Sequence, residues 1–187
     1  MNIGFACNWE GNREKAWNGA PYLLFESMKV LDGLKLYDLN INTKGFELFL
    51  HKIINLNLYN GKIKSKYAFS KLYLNSVRNK LFNNLNKFKE METLDAILEI
   101  GDIGIIKDIP FYIYQDLSLD LLIKELKENS KPMSGYENYS LNELYKRREW
   151  QLKIYEKCSG VFTMSKWLAN NLITDTNLPK KPADSTK

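Results

Sequence analysis

Three short polar segments carry side chains that could bind or transform a ligand rich in hydroxyl groups. They are the turn Trp17-Asn18-Gly19-Ala20, the pair Gly101-Asp102 and the pair Gln115-Asp116. A carboxylate in such a segment can serve as an acid, a base or a hydrogen-bond acceptor for a hydroxyl group. A structural interpretation stands beside this one, with Asp102 as a turn residue and Asp116 as an Asx-type cap before the next helix.

Short apolar runs alternate with segments of helical periodicity along most of the chain. The runs predicted as strands are residues 3–7, 34–41, 94–100, 110–114 and 161–164; the predicted helices start at Pro21 or span residues 44–56, 66–88, 118–127, 140–157 and 166–173. This order predicts an α/β fold with a parallel sheet and helices on both faces. Because ligands bind beyond the carboxyl ends of parallel strands, we expect the three polar segments to share one edge of that sheet.

Two helix starts add backbone donors to this edge. Pro21 suits the first turn of a helix, and Ser165 precedes the helix that starts at Lys166. Free amides at a helix start favour phosphate or carboxylate groups, so Ser165 is a candidate ligand contact. Gly19 permits close approach of the backbone to a ligand. The patterns GxGxxG, GKS and GKT do not occur, so the dinucleotide fingerprint and the P-loop are absent.

Residue types that bind metals are scarce. His51 is the only histidine, and Cys7 and Cys158 are the only cysteines. Their spacing supports neither a disulfide nor a metal site, so we expect reduced thiols and no metal. His51 falls on the helix predicted for residues 44–56, where we expect a structural or solvent-facing role. That helix places a set of apolar residues on one face: Phe46, Phe49, Leu50, Ile53 and Ile54.

Residues 62–89 contain eight basic residues and no acidic one, against a net charge of +5 for the whole chain. A block of this kind attracts anions, and Lys71, Arg78 and Lys80 are the predicted membrane or anion contacts. One interpretation of the helix at 66–88 is a surface helix that packs its apolar stripe on the sheet. The second is a peripheral contact with an anionic membrane surface. Nucleic acid is disfavoured as a partner, because only charge supports it.

Length and composition indicate one globular unit. The chain has 187 residues and is 44% hydrophobic, and no window approaches the about 20 apolar residues of a membrane span. We predict one domain at residues 1–173 and a linker or disordered tail at residues 174–187, where prolines interrupt any regular element. No secretory leader is indicated, so the predicted location is cytoplasmic, or peripheral at the inner face of the membrane.

Several of these segments resemble one known family. The turn WNGAPY is similar to the WSGTPY-like turn near the start of retaining glycosyltransferases of family four, which have the GT-B fold of two facing Rossmann-like domains. The resemblance continues through a strand ending in Gly101-Asp102, the YQD that ends at Asp116, and the run RREWQLKIYEKCSGVFTMSKW. That run looks like the family's pattern of Arg and Glu on a long helix, an apolar strand and then Ser-x-Trp.

The resemblance implies a Rossmann-like domain that forms the acceptor-side half of a GT-B glycosyltransferase. The whole enzyme would move a sugar from a nucleotide-sugar donor to a glycan, lipid-linked or small-molecule acceptor, without a metal or other cofactor. Asp116 would be catalytic and Gly19 would approach the donor phosphate or the acceptor. Two departures stand out: the family's His is absent at position 116, and WSGT is replaced by WNGA.

The donor half expected from the resemblance has no counterpart in this sequence. A C-terminal donor domain or a separate partner chain would have to supply it, and this half alone would turn over little or nothing. The alternative is a non-catalytic binding or membrane-docking module that needs a separate donor-binding chain.

Overall fold

A computed structural model describes residues 1–9, 12–59, 61–89, 91, 93–128, 135–136 and 138–179. The strands are β1 (Asn2–Ala6), β2 (Lys35–Asp38), β3 (Leu56–Tyr59), β4 (Lys62–Ser65), β5 (Ala96–Ile100), β6 (Phe111–Gln115) and β7 (Gly160–Thr163). The α-helices are α1 (Ala20–Lys29), α2 (Gly45–Ile54), α3 (Lys71–Lys89), α4 (Leu119–Glu128), α5 (Leu141–Lys157) and α6 (Lys166–Thr174).

Five strands form one parallel sheet in the order β2-β1-β5-β6-β7. The fold is therefore α/β and Rossmann-like, and the predicted parallel sheet is confirmed. β3 and β4 form a separate antiparallel hairpin between α2 and α3. Because the chain passes from β1 outward to β2 and later returns to β5 on the other side of β1, the strand order reverses between β1 and β5.

Helices cover both faces of the sheet. On one face, Phe5 of β1 and Leu98 of β5 pack with Phe25 of α1. On the other, the apolar stripe of α3 and residues of α5 and α6 pack against Ile97 and Ile113. This two-sided burial explains why the central strands read as continuous apolar runs.

The start of α5 confirms the sequence prediction, whereas the start of α3 differs from it. Ser140 caps α5, and its side chain and that of Glu143 form the expected capping box. The helix predicted for residues 66–88 is divided, because a 3-10 turn (Tyr67–Phe69) and the extended residue Ser70 precede α3. α3 therefore starts at Lys71.

The start of the predicted tail packs against the domain. Thr176 is buried and its hydroxyl donates to the carboxylate of Asp120 at 2.8 Å. Leu178 packs against the core. Residues 180–187, the rest of the predicted tail, lie outside the described residues. Within the described part of the chain, no helix combines the length and apolar character needed to cross a bilayer.

Candidate functional site

The turn before α1 has an unusual left-handed backbone. Trp17, Asn18 and Gly19 have φ angles of 49°, 56° and 86° in succession. Gly19 is the N-cap of α1, and Pro21 lies in the first turn of that helix as predicted. A Cβ on Gly19 would lie 3.0 Å from the backbone oxygen of Glu14. Glycine is therefore required at this position for both its φ angle and its space.

The first turn and the end of β5 meet. Gly101 has a φ angle of 84°, and a Cβ placed on it would lie 3.4 Å from Cη2 of Trp17. The indole of Trp17 thus lies over the backbone of Gly101. Two of the three segments predicted to share a sheet edge are in contact.

A small cavity of about 150 Å³ lies beyond the ends of β1 and β5. Its lining comes from both strand ends, the first turn, α3 and α5: Asn8, Trp17, Tyr73, Leu74, Val77, Ile100, Gly101, Asp102, Ile103 and Arg147. We call it the switch-point cavity, because it lies where the strand order of the sheet reverses. This is the position at which open parallel sheets bind ligands.

Asp102 forms a buried ion pair with Arg147 of α5. The Arg147 Nη2 and the Asp102 Oδ2 are 2.6 Å apart, and the two side chains are only 6% and 9% exposed. Nε and Nη1 of Arg147 are buried without a hydrogen-bond partner among the described residues. The prediction placed Asp102 at the site but did not foresee its partner. Arg147 therefore has two nitrogen atoms available to an anionic or hydroxyl-bearing ligand.

Glu99 is a fully buried carboxyl group just below this edge. It lies on β5, and its Oε2 accepts hydrogen bonds from the amides of Ile103 at 3.1 Å and Gly104 at 3.3 Å. Desolvation raises the pKa of Glu99 to about 8, although these amides and Arg78 oppose the shift. Glu99 is not among the site residues predicted from the sequence. A charged residue at an inward position of an apolar strand was the signal that could have identified it.

A second, larger cavity of about 750 Å³ adjoins the first, and Leu74 and Arg147 line both. We call it the basic cavity. Its lining contains five cationic side chains and a single carboxylate: Lys66, Lys71, Arg78, Lys146, Arg147 and Glu143. Glu143 pairs with Lys66 at 2.9 Å. Arg147 pairs with Asp102, so three cations of this lining, Lys71, Arg78 and Lys146, form no ion pair with a carboxylate of the described residues.

Aromatic side chains form part of the wall of the basic cavity. The guanidinium carbon of Arg78 lies 3.9 Å from the ring centroid of Trp150, and Phe69 and Tyr139 also line the space. Stacking of this kind covers one face of the guanidinium group and leaves the N–H groups at its edge available to an acceptor. The cavity thus combines positive charge with apolar surface.

The remaining predicted site residues lie at the same edge with different environments. Gln115 is buried, and its Nε2 donates to the backbone oxygen of Leu117 at 2.6 Å. Asp116 follows β6 directly and is exposed, yet nearby protein atoms desolvate its carboxyl group and raise its pKa. The Ser165 hydroxyl accepts from the amide of Leu168 at 3.1 Å and caps α6. These three residues are not among those that line the two cavities, and Ser165 has a structural role.

Five predicted site residues remain, and they lie in different environments. Asn18 is exposed, and Ala20 is the first residue of α1. Lys71 is exposed at the start of α3 and lines the basic cavity with Arg78. Lys80 instead forms an ion pair with Glu47 of α2 and donates to the backbone oxygen of Asn42 at 2.8 Å. The three cations therefore do not form one exposed face of α3.

No protein-family model and no curated protein matches the chain. Among the residues that the structure describes, no group of three or more His, Cys, Asp or Glu side chains could hold a metal ion.

Proposed function

We propose that this chain is the acceptor-side half of a sugar-transferring enzyme of GT-B architecture, and that the basic cavity holds an anionic group of the acceptor. The observation that carries the proposal is the pair of adjoining cavities at the reversal point of the sheet. The segments of the family resemblance contribute to both: Trp17 and Asp102 line the smaller cavity, and Arg147 lines both.

Charge and shape support an acceptor with an anionic group. Lys71, Arg78 and Lys146 provide positive charge beyond the ion pairs of Lys66 with Glu143 and of Arg147 with Asp102. Phosphate is the anion best matched to several converging Lys and Arg donors. The aromatic part of the wall suits an apolar or sugar-ring portion of the same molecule.

The smaller cavity would then receive the reacting hydroxyl group. The Asp102 carboxylate at its wall is a hydrogen-bond acceptor, held in place by Arg147. Asp116, the catalytic carboxylate that the family resemblance implies, follows the neighbouring strand β6 at the same edge and does not line this cavity. Desolvation, which raises its pKa, strengthens it as a proton acceptor. A second domain or a partner chain would bring the nucleotide-sugar donor, whose phosphates are stabilised by amides and cations.

Binding of a sugar phosphate tests the acceptor site. Glucose 1-phosphate, glycerol 3-phosphate and glucose are titrated while tryptophan fluorescence is recorded, since Trp17 and Trp150 line the cavities. We expect the two phosphate compounds to bind and glucose to bind more weakly. Lys146→Gln should weaken phosphate binding about fivefold, the effect of one exposed charge contact of about 1 kcal/mol. Equal binding of glucose and its phosphate would contradict the anionic acceptor.

A matched control separates this site from general electrostatic attraction. Lys153 is exposed on the same helix as Lys146 but is not among the residues that line the basic cavity. Lys153→Gln should leave phosphate binding unchanged, and a loss equal to that of Lys146→Gln would assign the effect to net charge. Tight binding of a nucleotide sugar by this chain alone, with no binding of sugar phosphates, would refute its assignment as the acceptor-side half.

A further inference from the structure

α2 turns its apolar stripe toward solvent. None of its residues is buried, and its five large apolar side chains are between 40% and 73% exposed: Phe46, Phe49, Leu50, Ile53 and Ile54. Their spacing of three and four residues places them along one side of the helix. Such a stripe normally faces the core of a globular protein, as the stripe of α3 does here.

The β3-β4 hairpin continues this exposure. Leu58 lies directly opposite Ile63 in the antiparallel pairing, so both side chains project from one face, together with Leu56 two residues earlier. These three residues are 70%, 73% and 52% exposed, respectively. Lys62 and Lys64 flank Ile63 on β4, so their side chains lie on the other face of the hairpin.

The helix and the hairpin are held next to each other. The Ser65 hydroxyl donates to the backbone oxygen of Lys52 at 2.7 Å, and the amide of Lys66 donates to the oxygen of Asn55 at 2.9 Å. We name the combined surface the α2–hairpin face; its members are Phe46, Phe49, Leu50, Ile53, Ile54, Leu56, Leu58 and Ile63. Exposed apolar groups this concentrated mark an interaction surface.

The charges around the α2–hairpin face are almost all positive. Residues 44–71 contain six lysines and one acidic residue, Glu47. Glu47 is paired with Lys80 of α3, so its charge is already balanced. Lys44, Lys52 and Lys62 are exposed. An apolar surface on a segment of net positive charge is complementary to an anionic bilayer, whose headgroups attract the lysines while the acyl boundary takes up apolar side chains.

We propose that the α2–hairpin face docks onto an anionic phospholipid bilayer, with α2 lying in the plane of the headgroups. This moves the predicted membrane contact from α3, whose apolar stripe is buried, to the two elements before it. Leu56 belongs to this face and also lines the basic cavity. Docking therefore brings that cavity to the bilayer surface.

Vesicle sedimentation tests the proposal with the whole chain. Vesicles of phosphatidylcholine alone and vesicles that also contain phosphatidylglycerol are mixed with the protein and pelleted. We expect binding to the anionic vesicles, weakened by salt, and little binding to the neutral ones. Phe49→Ser and Ile63→Ser should each lower the partition coefficient about tenfold, because each removes one large apolar side chain from the docked surface. Lys44→Gln, at the N-cap of α2, should lower it about fivefold.

Two control variants distinguish docking through this face from nonspecific adsorption of exposed apolar side chains. Val30→Ser and Leu31→Ser remove apolar side chains that are 79% and 56% exposed just after α1, away from the face. They should leave sedimentation unchanged. Equal losses in both sets, or no binding to anionic vesicles, would overturn the proposal. So would a dimer in solution that Phe49→Ser and Ile63→Ser convert to monomer, because the face would then bind a second copy.

The outcome is separable from that of the proposed function. Lys146 lies in the basic cavity and outside the α2–hairpin face, so Lys146→Gln should weaken phosphate binding without changing sedimentation. Circular dichroism of each variant checks the fold, which exposed substitutions should leave intact.

Discussion

Replacement of Glu99 by Gln should change how the stability of the fold depends on pH. In the folded state burial raises the pKa of this carboxyl group to about 8, from an ordinary value of 4.5. At pH values between these two pKa values, Glu99 is deprotonated in the unfolded chain and protonated in the folded chain. The unfolded state is then favoured as pH rises, at about 1.4 kcal/mol per pH unit. Below the ordinary pKa both states are protonated, so this loss is absent there.

The size of the effect follows from the width of that window. Across about 3.5 pH units, from the ordinary pKa to the pKa of the folded state, the wild-type chain loses up to about 5 kcal/mol of stability through this one group. E99Q has no ionisable group at the position and should lack this loss. The Gln oxygen can still accept from the amides of Ile103 and Gly104. The stability of E99Q relative to wild type should therefore rise with pH and become constant above about 8.

Urea unfolding of both proteins at several pH values across this window provides the measurement. The difference in free energy of unfolding cancels the other ionisable groups, which the two proteins share. Infrared spectroscopy gives an independent check, since the C=O stretch of a protonated carboxylic acid near neutral pH should be missing in E99Q. A stability difference that does not vary with pH would refute the assignment of Glu99 as a buried, protonated carboxyl group.

Two further predictions concern the edge of the sheet. D102N should lower the free energy of unfolding by about 3–5 kcal/mol, because Arg147 would remain buried without its counter-charge; a much smaller loss in urea unfolding would contradict the buried pair. Gly19→Ala should destabilise by about 1–3 kcal/mol, since its φ is 86° and its Cβ would crowd the oxygen of Glu14. Gly33→Ala, with a φ of 74° but open space around it, should cost only about 1 kcal/mol, and equal losses would show that crowding adds nothing.

The pattern of elements was predictable from the sequence because the sheet strands are short apolar runs, of which the central β1 and β5 are largely buried on both faces. Five apolar runs became five neighbouring parallel strands, and the polar segments after β5 and β6 lie at one edge. The position of Gly19 at the start of α1 also follows from local rules, because Pro21 fixes the first turn of the helix. The apolar runs and the helix start depend only on residues that are near one another in the sequence, so the order of strands in the sheet does not affect them.

The environment of each side chain was much harder to predict. Helical periodicity shows that α2 has an apolar stripe but not that the stripe faces solvent. Arg78 and Lys80 lie two positions apart on one helix, yet one stacks on Trp150 and the other pairs with Glu47. The pairing of Asp102 with Arg147 joins residues 45 positions apart. Such partners depend on tertiary packing, which a single sequence does not display.

The shared position of Arg147 has a thermodynamic consequence for ligands. Its guanidinium group borders both cavities, and Asp102 satisfies only part of its bonding capacity. An anion that binds Arg147 in the basic cavity would weaken the ion pair between Arg147 and Asp102 in the switch-point cavity. Affinities measured for the two cavities separately should then fail to add, and the deviation is a coupling free energy that is the same whichever ligand binds first.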